Sequence, residues 1–156
     1  MKEYEYSFRV NHINPFISYC ENNGYIIEKD NLQTRELFKN KNKILARIKT
    51  EIENDKTTCI LDFKDDNNTD DLVKEARDTL PLKVSLEDRA KIDSILNILD
   101  FNKDVVLKRK RITYVNGNIK FEIDEYMEPE ECFVVAIEGE KDLVDSVYLD
   151  IKDKIN

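Results

Sequence analysis

The feature that most constrains this chain is a side-chain period of two in which one half of the alternation is apolar and the other half carries charges of both signs. Residues 2–10 show it first. Tyr4, Tyr6, Phe8 and Val10 fall on one side, and Glu3, Glu5, Ser7 and Arg9 on the other. Such alternation is the signature of a β-strand with two unlike faces. It returns over 43–53, where Ile44, Ala46, Ile48, Thr50 and Ile52 oppose Arg47, Lys49, Glu51 and Glu53. It returns again over 57–64, where Leu61 and Phe63 oppose Asp62 and Lys64. Further strands are expected over 105–115, 118–126 and 132–140, with a less regular one over 33–38. Asn116-Gly117, between two β-rich runs, predicts a tight hairpin.

Helical spacing appears between these strands. Asn14 is expected as an N-cap with Pro15 at the first helical position. Ile13, Phe16, Ile17 and Cys20 then form the apolar side, and Gly24 the stop. The run at 65–69 has turn chemistry. Beyond it Thr69 can cap a helix with Asp70 and Asp71 in its opening turn. Ser85 and Asp88 resemble a capping box, followed by an apolar stripe of Ile92, Ile95, Leu96 and Leu99. Residues 141–155 read as a last helix, with Leu143, Val144, Val147 and Ile151 on one side.

The length of 156 residues suits one domain spanning 1–156. The class is α+β, and two placements of the charged faces are open. A half-buried antiparallel sheet ordinarily turns its polar face to water, where alternating charges form weak ion pairs. Periodicity alone favours that reading. Against it, the amphipathic helices need an apolar surface to cover, and about seven strands leave two exposed edges unless the sheet closes. Closing it with helices outside puts the charged faces inside. That is costly unless opposite charges and a ligand compensate, and mixed carboxylates and bases suit a polyanion with divalent cations.

Composition narrows the partners. A net charge of −8 disfavours nucleic acid and anionic membrane surfaces, so an anionic ligand needs a local basic cluster. The Lys-Arg-Lys-Arg run at 108–111 is too short to reverse this. Cys20, Cys59 and Cys132 are widely spaced and His12 is the lone histidine, which argues against a zinc site or a disulfide framework and for a reducing cytoplasm. No run resembles a signal core or a membrane span. A homodimer is left open.

These strands, in order, resemble the CYTH superfamily, the triphosphate tunnel metalloenzymes, which include class IV adenylate cyclases, thiamine triphosphatases and inorganic triphosphatases. The opening Glu-x-Glu-x-Lys pattern is matched by Glu3-Tyr4-Glu5-Tyr6-Ser7. Ala46-Arg47-Ile48-Lys49, Leu61-Asp62-Phe63-Lys64, Arg109 to Tyr114, Glu122-Ile123-Asp124 and Glu138-Gly139-Glu140 match the later motifs. Ser7 departs from the pattern: it stands where the family has a phosphate-holding lysine, and Arg9, one pleat on, is the candidate substitute.

The resemblance implies a closed eight-stranded antiparallel β-barrel surrounded by helices, with Mg2+ or Mn2+ as cofactor and a triphosphate-containing small molecule as ligand. It implies metal binding by Glu3, Glu5, Asp124, Glu138 and Glu140, with Glu122 a lesser candidate. It implies phosphate contacts from Arg9, Arg35, Arg47, Lys49, Lys64, Arg109 and Arg111, and catalytic roles for Glu5, Arg111 and Glu138. The reaction expected is metal-dependent hydrolysis of inorganic or nucleoside triphosphate. Cyclisation of ATP to cyclic AMP, and polyphosphate or nucleotide binding without turnover, are the alternatives.

Overall fold

The structure, a computed structural model, describes residues 4–65 and 79–155. Glu3 and the helix expected from Thr69 with Asp70 and Asp71 lie outside the described residues. The elements in chain order are β1 (Tyr4–Val10), α1 (Asn14–Asn22), β2 (Ile26–Lys39), β3 (Ile44–Glu53), β4 (Lys56–Asp65), β5 (Leu82–Lys83), α2 (Arg89–Ile98), β6 (Asn102–Asn116), β7 (Ile119–Glu128), β8 (Cys132–Gly139) and α3 (Lys141–Ile151), followed by a 3₁₀ turn. Among the described residues no helix is long and apolar enough to cross a membrane.

The strands form one eight-stranded antiparallel sheet in the order β1-β8-β7-β6-β2-β3-β4-β5. The expected closure into a barrel is not found: the order has ends, β1 and β5, and no ladder joins them among the described residues. The two terminal strands differ in length: β5 contributes only Leu82 and Lys83, paired with Leu61 and Ile60, and β1 pairs along its seven described residues with β8. Contacts divide the chain into two compact units, Met1–Leu32 with Arg109–Asn156, and Gln33–Lys108.

In the first unit the apolar strand faces pack under α1 and α3. Phe16, Phe121, Val135, Ile137, Val144 and Ile151 are fully buried, with Tyr25 and Ile123 beside them. The rings of Tyr25 and Phe121 meet edge to face with centroids 5.2 Å apart. Tyr6 stacks on Tyr148 at 4.6 Å and donates its hydroxyl to Asp145 Oδ1 at 3.0 Å, which fixes α3 against β1. The second unit has its own core of Phe38, Ala46, Ile48, Cys59, Leu61, Leu96 and Phe101.

Local signals were displaced by a residue or two. α1 begins at Asn14, so Ile13 holds the cap position without a side-chain hydrogen bond and Asn14 is not the cap. Gly24 does end that helix: its φ of 78° lets the Tyr25 amide reach back to the Cys20 carbonyl at 3.1 Å. Ser85 Oγ accepts from the Asp88 amide, but α2 itself starts at Arg89. Of the stripe expected on α2, Leu96 is buried and Ile92 partly so, while Ile95 and Leu99 are exposed. That helix touches its sheet along the single i, i+4 edge Ile92–Leu96. The β6–β7 loop is Gly117-Asn118, with φ of 58° at Gly117, rather than Asn116-Gly117.

Gly139 joins β8 to α3 with φ of 150°, and a Cβ there would lie 2.3 Å from the Asn118 carbonyl oxygen. Gly139→Ala therefore combines backbone strain with a collision against main chain. It is expected to cost about 2 kcal/mol or more, read as a lower midpoint in urea denaturation.

Candidate functional site: the ionic strand faces

Strand register assembles the site in the first unit. Residues directly opposite one another in an antiparallel sheet project to the same side. Across β1, β8 and β7 the opposed rows are Glu5, Glu138, Lys120; Ser7, Ala136, Glu122; and Arg9, Val134, Asp124. The intervening rows, such as Tyr6, Ile137, Phe121, belong to the apolar core. β6 joins through its two-residue loop. Counting back from that loop sets Arg111 opposite Asp124 and Arg109 opposite Tyr126, and these are the side-chain pairs observed.

Arg111 is the centre. Its Nε and Nη2 donate to the two carboxylate oxygens of Asp124 at 2.7 Å each, and its Nη1 pairs with Glu122. Arg109 Nη1 donates to the Tyr126 hydroxyl at 2.8 Å and lies 3.8 Å from Asp124 Oδ2. The Asp124 side chain is 3% exposed and that of Arg111 19%. The Arg111–Asp124 part of this face is therefore withdrawn from water, although the apolar core lies on the opposite side, while Glu5, Ser7 and Arg9 on β1 remain exposed. Burial pulls the Arg111 pKa down, but hydrogen bonding to Asp124 and the charges of Asp124 and Glu122 outweigh it, and the net direction is up. Lys120 stands 3.9 Å from both Glu138 and Glu28.

The second unit repeats the motif. Arg47 Nε and Nη2 donate to Asp62 at 2.7 and 2.9 Å, with Asp62 11% and Arg47 22% exposed at the side chain. Lys49 shares that face opposite Ile60, which in turn lies opposite Lys83; Lys64 is opposite Leu45. Lys49 and Lys64 are half-buried, and among the described residues neither ammonium has an ion-pair or hydrogen-bond partner.

The remaining expected residues are placed as follows. Arg9 is exposed and bound to Glu130 at 2.6 Å. Its pKa is raised, first by that hydrogen bond and then by the charge of Glu130. Arg35 is half-buried on β2 and already engaged. Glu140 has left β8 and sits exposed at the N-cap of α3, its carbonyl accepting from the Val144 amide. Glu5 is exposed directly opposite Glu138. Tyr126, Lys120 and Glu130 were not singled out from the sequence. Tyr126 and Lys120 share the parity of Asp124, which is the signal that finds them; Glu130, in the β7–β8 connection, has none.

For a hard divalent cation the fit is partial. Glu5 and Glu138 are like charges directly opposite each other, an arrangement a bound cation would relieve. Asp124 is committed to Arg111 at both oxygens and Glu140 to a helix start. Among the described residues no three carboxylate, imidazole or thiol groups are gathered to hold a metal.

No protein-family model matches the chain, and no curated protein matches it. Solved structures do share its fold. The PH1012 protein of Pyrococcus horikoshii OT3 matches with a TM-score of 0.64 and 21% identity, covering 99% of this chain and 94% of that one. A candidate adenylate cyclase of Bacillus halodurans matches with a TM-score of 0.54 and 12% identity, covering 97% and 89%. A chain of the Schizosaccharomyces pombe Mediator head module matches with a TM-score of 0.62 and 8% identity, covering 100% and 97%. At these identities the likeness is one of fold.

Breaking the central pair should expose its cost. Arg111→Met strands a buried Asp124 carboxylate and is expected to destabilise by about 3–5 kcal/mol. Arg111→Met combined with Asp124→Leu, which removes both charges, should recover most of that loss in urea denaturation.

Proposed function

We propose that the chain binds triphosphate-bearing small molecules on its ionic strand faces, each unit taken by itself: Arg109 and Arg111 are the phosphate contacts of the first unit, and Lys49 and Lys64 those of the second. One observation carries the reading: beside the Arg47–Asp62 pair, itself largely withdrawn from water, Lys49 and Lys64 stay half-buried without a partner among the described residues. A partly desolvated ammonium without a counter-charge is costly, and a phosphate oxygen is the compensating group. The guanidinium groups are held rigidly by Asp62 and Asp124, so a polyanion would meet donors already in position. The fold shared with candidate adenylate cyclases agrees with a ligand of this class.

Metal-dependent hydrolysis of the triphosphate is the activity such binding would serve, and the opposed Glu5 and Glu138 favour it. When bound there, Mg2+ or Mn2+ would supply Lewis-acid polarisation of a phosphoryl oxygen. The chain's own part would be to hold the phosphates in place and to offset developing charge through Arg111 and Arg109. Ser7, exposed and without a charge where the resembling family has lysine, favours instead a module that binds without efficient turnover.

Calorimetry with tripolyphosphate tests the binding. Lys49→Ala with Lys64→Ala should weaken affinity about tenfold or more at low salt while leaving the unfolding free energy within about 0.5 kcal/mol, because neither amine is paired among the described residues. Unchanged affinity would remove the basis of the proposal. Phosphate release in Mg2+ or Mn2+, lost in Glu5→Gln and in Glu138→Gln, would establish hydrolysis. Binding without release would establish the module.

A further inference from the structure

One edge of the sheet is open along a whole strand. β1 pairs with β8 on one side, and among the described residues no ladder takes up its other side. At the opposite end of the sheet β5 offers only Leu82 and Lys83, and such shortness protects an edge by itself. β1 lacks that protection. Its seven residues run in unbroken register with β8, without proline or bulge. Every second one turns its N–H and C=O away from β8.

An edge of this kind accepts another strand, and its side chains decide which one. β1 reads Tyr4-Glu5-Tyr6-Ser7-Phe8-Arg9-Val10, and about Ser7 it is self-complementary. In an antiparallel pairing with a copy of itself, centred on Ser7, Glu5 stands opposite the partner's Arg9. Tyr6 then stands opposite the partner's Phe8, and Tyr4 opposite the partner's Val10. Each pair occurs twice. Among the described residues a shift by two shortens the ladder and separates both pairs of opposite charge; a shift by one sets charged residues against apolar ones. A residue on a two-fold axis faces its own copy, where a charged side chain would oppose a like charge. Ser7 is uncharged there, at the position where the resembling family has lysine.

The surroundings of the two charges fit this pairing. Glu5 is exposed, has no partner among the described residues, and stands opposite a like charge, Glu138, on β8. The partner's Arg9 would bring it a counter-charge from the open side. Arg9 is exposed and uses Nη2 on Glu130, which leaves its other nitrogens to donate to the partner's Glu5. On the other face Tyr4, Tyr6 and Phe8 are half-buried against the core, and facing side chains would cover more of them.

We infer that this edge is an interaction surface for a second copy of the chain: two protomers pair antiparallel through β1 about a two-fold axis at Ser7. The inference goes beyond the triphosphate reading and does not rest on it. A ladder from one strand is a small interface, so the dimer is a weak one, with a dissociation constant in the micromolar range.

Sedimentation equilibrium of the full chain at low salt, without divalent cation or phosphate, over about 1 to 300 µM, tests it. The apparent mass should rise with concentration toward twice that of the monomer. Arg9→Glu and Glu5→Arg, each of which sets like charges across the ladder twice, should each weaken association about tenfold or more. Combined, they restore opposite charges with the signs exchanged, and the dissociation constant should return to within about threefold of the original. That rescue separates a lost contact from a damaged fold. Ser7→Lys, which sets a charge against its own copy on the axis, should also weaken association about tenfold or more. A chain that stays monomeric throughout the range overturns the inference. So does a dimer that Arg9→Glu and Ser7→Lys leave unchanged, because another surface then holds it, and so does a combined variant that associates no better than either single one. None of these results alters what the tripolyphosphate titration decides.

Discussion

The two bidentate arginine–aspartate pairs, Arg111–Asp124 and Arg47–Asp62, are the constraint on which the rest of this structure depends. Each holds a carboxylate almost out of contact with water. A lone carboxylate in that position would be protonated or would unfold its strand, because removing an ion from water costs several kcal/mol that only a close, multiply hydrogen-bonded partner offsets. Once the pairs form, the stretches of polar strand face that carry them can be withdrawn from solvent. The apolar faces are then free to carry α1 and α3, and Phe121, Val135 and Ile137 can be fully buried beneath them.

Pairs of this kind contribute little net stability and give geometry instead. A guanidinium locked by two oxygens loses its rotamer freedom during folding and not on binding a ligand. The same locking limits the carboxylates: Asp124 has both oxygens on Arg111 and is poorly placed to coordinate a cation as well. In the second unit Lys49 and Lys64 are half-buried without a partner among the described residues, and in the first Glu5 and Glu138 are opposed carboxylates.

Much of the strand pattern was legible because the alternation is strong where one face is apolar. β1, β3, β4, β7 and β8 fall close to their expected ranges, and Arg47, Arg111 and Asp124 share the ionic parity assigned to them. β2 runs from Ile26, well before the expected start at 33, since Ile26 to Asp30 is exposed throughout and no buried face imposes a period of two. β5 is too short for any period to register. Glu140 fits the alternation of β8, but the unusual φ of Gly139 ends the strand one residue earlier and sends Glu140 to the start of α3. The closed barrel implied by the family resemblance gave way to a sheet with two ends, because closure depends on a ladder between terminal strands that no single strand's pattern encodes.

By itself the sequence determined which residues could share a face, since parity along a strand is set by the tetrahedral Cα and the pleat. It determined that some faces would be ionic and others apolar, and that helices would cover the apolar ones. Only the tertiary structure decided which charges neutralise each other. Strand register, fixed by the Gly117-Asn118 loop, set Arg111 opposite Asp124, and packing excluded the water that would otherwise have made the pair negligible.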